Sequence, residues 1–98
     1  MSGPDLATLK PQIRVEIIGG QVVNRWGWQG YERFLDMIEL CVDRGSGWQM
    51  LAFDTTPDYT DTTALPATAA VWKYKAIFRI GDQRVGQWSD EVSITVAA

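Results

Sequence analysis

Apolar and polar residues alternate along most of this chain, and the alternation is clearest from Val71 to Val96. Trp72, Tyr74, Ala76, Phe78 and Ile80 share one parity, while Lys73, Lys75 and Arg79 fall on the other. A period of two is what a strand with one buried and one wet face requires. This segment predicts two antiparallel strands around a turn at Gly81-Asp82-Gln83-Arg84, the second strand ending in Val92, Ile94 and Val96.

The same reading extends toward the N-terminus. Ile13–Ile18 is rich in β-branched residues and predicts a first strand. Gly19-Gly20 signals a turn into a second strand over Gln21–Trp28, with at least one of Trp26 and Trp28 in the core. Residues 31–44 (YERFLDMIELCVDR) fit two patterns. Tyr31, Leu35, Ile38 and Val42 recur at helical spacing, but Met37–Asp43 also alternates as a strand. A helix would deprive Trp48–Phe53 and the C-terminal hairpin of a pairing strand, so the strand is preferred. Gly45-Ser46-Gly47 then turns into Trp48–Phe53, and a short strand is expected around Tyr59–Thr63. About seven antiparallel strands result, an all-β immunoglobulin-like β-sandwich over residues 12–98 preceded by a tail or linker over 1–11.

Composition narrows the chemistry. The chain of 98 residues has no histidine and one cysteine, Cys41. That removes Ser-His and Cys-His catalysis, an intrachain disulfide and thiolate metal clusters. The expectation is a non-enzyme without cofactor or metal. A net charge of -3 argues against nucleic acid as a partner. No apolar run is long enough for a membrane-inserted helix, and residues 1–10 lack the pattern of a signal peptide, which leaves localisation open.

Several residues together resemble a fibronectin type III domain. They are a tryptophan on the second strand (Trp26 or Trp28), Leu65-Pro66, the alternating strand from Trp72, and Gly86-Gln87-Trp88-Ser89 ahead of Val92, Ile94 and Val96. The stretches VDRGSG, LAFDTTPDYTDTTALP and WKYKAIFRIGDQRVGQWSDEVSITV are similar to a divergent bacterial group of such domains found in uncharacterised proteins. The resemblance implies a spacer or protein-interaction module in a larger bacterial protein, with other protein domains as partners. In that family a tyrosine opens the sixth strand and closes a corner. Here Trp72 stands nearest that position and Tyr74 follows two residues later. No Arg-Gly-Asp tripeptide is present, so integrin recognition is not implied.

Four constellations bear on function. Trp88-Ser89 is similar to half of the Trp-Ser repeat of cytokine-receptor domains, and Arg79 and Lys75 are placed to stack on Trp88. Lys73, Lys75 and Arg79 form a basic stripe that Glu39 and Asp43 would neutralise from a neighbouring strand. Asp54, Asp58 and Asp61 supply carboxylates, but without the spacing of a calcium loop. Trp28, Tyr31, Trp48 and Tyr59 form a possible interaction surface. If exposed and coplanar they would make the alternative, a carbohydrate-binding accessory domain, the better reading.

Overall fold

The structure, a computed structural model, describes residues 5–98. Strands β1 (Arg14–Ile18), β2 (Gln21–Arg25) and β5 (Tyr59–Asp61) form one antiparallel sheet in the order β1-β2-β5. The second sheet runs β4-β3-β6 and is built from β3 (Met37–Asp43), β4 (Trp48–Asp54) and β6 (Ala70–Ile80). Its far edge is shared by β7 (Gln83–Val85) and β8 (Val92–Val96), both paired with β6. The two sheets pack as an all-β sandwich.

Gly19 and Gly20 both take positive φ, which a tight two-residue hairpin turn between β1 and β2 demands. Residues 31–44 contain a strand, as their neighbours required, and the helical spacing survives only as a single 3-10 turn at Glu32–Phe34. The second strand stops at Arg25, so Trp26 and Trp28 lie beyond it. Trp26 is nonetheless buried, and Trp28 packs edge-on against it at 4.6 Å.

Between the sheets, β6 supplies Trp72, Tyr74, Ala76 and Phe78, and β3 supplies Ile38, Leu40 and Val42. Val22, Trp26 and Ile13 face them from the first sheet and its approach, and Leu35 and Val96 complete the core. Each fully buried side chain of this size stabilises the fold by about 1.5–3 kcal/mol. Asn24 also points inward, opposite Val15 and Tyr59, and both its amide atoms are without hydrogen-bond partners.

The expected seventh strand is broken in two. Phe78 pairs with Val85, but Tyr74 pairs with Val92, so residues 86–91 loop out opposite Lys75–Ile77. Ser89 closes the gap: its N–H donates to the Ala76 carbonyl at 2.7 Å, and its Oγ accepts from the Ala76 N–H at 2.9 Å. The side chain thereby replaces a missing strand partner for a buried backbone amide. Trp88 is the residue this loop turns onto the outer face.

Residues 5–11 carry no strand and lie against the sandwich. Leu6 and Leu9 pack on the core, Pro11 is fully buried, and the Gln87 N–H donates to the Leu9 carbonyl at 2.8 Å. Gly86 sits directly beneath, at φ +76°, where any Cβ would collide with the Leu9 carbonyl oxygen. At the other end, the Ala98 N–H donates to the Pro66 carbonyl, beside the partly buried Leu65.

Candidate functional site: the outer face of the larger sheet

A bulge decides which side chains reach this face. Leu40 pairs with Ala52 but Cys41 with Met50, so Leu51 is an extra residue in β4. The insertion reverses the alternation within one strand. Trp48, Met50 and Phe53 therefore all point away from the core, beside Asp43, Cys41 and Glu39 respectively. Met50 and Phe53 are about half exposed.

Cations from the next strands lie over these apolar groups. The Lys75 ammonium is 4.5 Å from the Trp48 ring centre and 4.8 Å from that of Trp88. Arg79 covers Phe53 at 4.8 Å, and Arg84 covers Trp88 at 5.2 Å. Cation–π contacts at exposed sites contribute about 0.5–1 kcal/mol each. The expected stacking on Trp88 is thus real for Lys75, but its second cation is Arg84 and not Arg79.

Glu39 joins the two arginines. Its carboxylate accepts from Arg79 Nη1 at 2.6 Å and from Arg84 Nε and Nη2 at 3.0 and 2.7 Å. The Arg84 hydrogen bonds outweigh the cost of burial and, with Arg79, hold its pKa below the ordinary glutamate value. The N–H groups of Gly45 and Gly47 lower the Asp43 pKa, and Lys73, facing it across the sheet, adds a smaller effect. The basic stripe is therefore partly neutralised from β3, as the sequence suggested. The outward positions of β3, β6 and β7 still hold four cations, Lys73, Lys75, Arg79 and Arg84, against the carboxylates of Glu39 and Asp43. Among the described residues no carboxylate lies within ion-pair distance of Lys75.

Cys41 also points outward but is covered by this layer. Burial raises its thiol pKa and Glu39 raises it further, so the reactive thiolate is disfavoured.

The other sequence-derived candidates are dispersed. Trp28, Tyr31 and Tyr59 are partly buried and pack on the core, with Trp28 stacked on Phe78 at 6.2 Å. Trp48 lies on the opposite sheet from Tyr59, beneath Lys75. No aromatic pairing joins Trp48 or Tyr59 to another ring among the described residues.

The three aspartates form no common cluster: Asp54 and Asp58 both hold Trp26, and Asp61 binds elsewhere. Asp54 accepts from the Trp26 indole N–H at 2.8 Å, Asp58 from the Trp26 N–H and Arg25, and Asp61 from the Tyr74 hydroxyl at 2.7 Å. A groove of about 420 Å³ opens beside Arg14, Arg25, Trp26 and Asp58. Its Arg25 is held by Glu16 and Asp58.

Tyr74, not Trp72, makes the polar link between the sheets, from the middle of β6. Trp72 instead lies under the Arg44 guanidinium at 4.2 Å, and Arg44 reaches Asp61 at 2.9 Å and Thr63 at 3.0 Å. Arg44, Arg84, Met50 and Phe53 were not singled out from sequence. The available signal was in Trp48–Phe53, where apolar residues fall on both parities, as a bulged strand produces.

No protein-family model matches this chain, and no curated protein matches it.

Proposed function

We propose that this domain is a non-catalytic, fibronectin type III-like module that acts as a spacer and binds other protein domains through the outer face of its larger sheet. One observation carries the reading: the Leu51 bulge sets Trp48, Met50 and Phe53 on the outer face together, with Lys75 over Trp48 and Arg79 over Phe53. Burying them inward would have served stability better. Aromatic residues, Met and Arg are also the types enriched at protein–protein contacts. The body is 54 Å long and 25 by 19 Å across, dimensions suited to holding neighbouring domains apart. The carbohydrate alternative is weaker, because it needs an exposed aromatic platform and the four rings named for it are apart and partly buried.

The test compares protein partners retained from extracts of the source organism by the wild-type domain and by the double variant Met50→Ser/Phe53→Ser. At least one partner held by the wild type and lost by the equally stable variant is the expected result. An unchanged set of partners would overturn the assignment of the face.

A further inference from the structure

Strand β4 is an edge whose main protection is the bulge at Leu51. It pairs only with β3, and its seven residues, Trp48–Asp54, include no lysine, no proline and a single charge at the last position. An edge strand with no proline and almost no charge along its length still offers its backbone as a template for another strand. The bulge at Leu51 brings Trp48, Met50 and Phe53 onto one face beside the open edge.

The electrostatics above that edge select its occupant. Lys75 and Arg79 belong to β6, two strands in, yet their charged ends reach back over Trp48 and Phe53 at opposite ends of β4. A second copy of this chain docking edge to edge would bring these cations against their own counterparts. A strand carrying carboxylates meets them with opposite charge; Arg79 already shares Glu39 with Arg84, whereas Lys75 has no such partner of its own among the described residues.

Building on the interaction face proposed above, we infer that β4 receives an extended acidic segment of a partner protein, paired through the backbone, with two acidic side chains four residues apart over Trp48 and Phe53. The spacing follows from the bulge. Trp48 and Phe53 are five apart yet share a face, because two residues of β4 occupy one strand position. A regular strand keeps to one face only at even intervals, so its matching positions are i and i+4, and an apolar residue at i+2 meets Met50.

The probe is the blocked peptide Thr-Glu-Thr-Val-Thr-Glu-Thr, added to the isotope-labelled domain and followed by amide NMR and hydrogen exchange. Controls are the same peptide with lysine for glutamate, and Thr-Thr-Glu-Val-Glu-Thr-Thr, whose acids stand two apart on the other face. The expected result is saturable shifts at Trp48–Asp54 and slowed exchange of β4 amides with the first peptide only. Binding should weaken at least about fivefold in Lys75→Gln, and also in about 1 M NaCl, where the Debye length is about 3 Å. Equal binding of the lysine peptide would overturn the charge selection. Equal binding of the shifted peptide would overturn the spacing. Shifts at Trp88 and Phe53 without protection of β4 would overturn strand addition and leave the interaction face standing. Self-association through β4, or no response to any peptide, would overturn the inference, while the partner-capture comparison decides the face separately.

Discussion

The Tyr74 hydroxyl donates a 2.7 Å hydrogen bond to Asp61 Oδ2, tying the larger sheet to the smaller one through the buried core. Burial drives the Tyr74 pKa upward, and the neighbouring carboxylate drives it further. Burial also works against the Asp61 charge. The Tyr74 hydroxyl, Thr63 and Arg44 overcome it and leave the Asp61 pKa below its ordinary value.

Removing the hydroxyl isolates its contribution. Tyr74→Phe should lower stability by about 1.5–3 kcal/mol, the range for a hydrogen bond to a charged group. Asp61→Ala should cost more, because it also strands the Arg44 guanidinium. Urea denaturation of both variants checks the order, and equal losses would contradict it.

Acid should weaken the fold through three carboxylates, the buried Glu39 and Asp61 and the partly exposed Asp43. Their folded pKa values lie below the unfolded values of about 4.3 for the glutamate and 3.9 for the aspartates. Their stabilisation is therefore complete above those unfolded values and is lost as pH falls through the lower folded ones. The melting temperature should stay level from about pH 7 to 5 and fall below about pH 4.5. Glu39→Gln should flatten that fall, and a melting temperature unchanged to about pH 3 would contradict the account.

Ser89 stands in for a strand residue, so Ser89→Ala should leave the Ala76 N–H buried and unpaired at a cost of about 1–3 kcal/mol. Hydrogen exchange at Ala76 should accelerate while amides of β1 keep their protection. Unchanged exchange at Ala76 would show that the side chain is not its partner.

Gly86→Ala tests the docking of residues 5–11. A Cβ at position 86 meets the Leu9 carbonyl, and the backbone there has φ +76°. The variant should release the N-terminal segment and speed its amide exchange, with the sandwich still folded. Retained protection of Gln87, whose N–H bonds Leu9, would contradict this.

Strand periodicity made most of the fold legible. The period of two in β6 located its inward aromatics, and the pairing needs of β4 and β6 correctly decided for a strand at Met37–Asp43. The pattern did not show the break between β7 and β8, because Gly86–Glu91 leaves the ladder while keeping apolar residues on both sides of it. Nor did it give the face. Strict alternation puts Phe53 inward, and only the shift of register at Leu51 turns it out beside Trp48. Arg84 escapes the pattern for a related reason: the sequence places it in the turn Gly81-Asp82-Gln83-Arg84, whereas the turn is Gly81-Asp82 and Arg84 is a strand residue facing Arg79.

Site-specific photocrosslinking tests the outer face most directly. A benzophenone side chain placed at Met50, with the same group at Thr60 of the smaller sheet as the comparison, is irradiated in the organism's own extract. The account predicts a discrete protein adduct at position 50 that Phe53→Ser abolishes, and none at position 60. Adducts formed equally at both positions, or unaffected by Phe53→Ser, would contradict it.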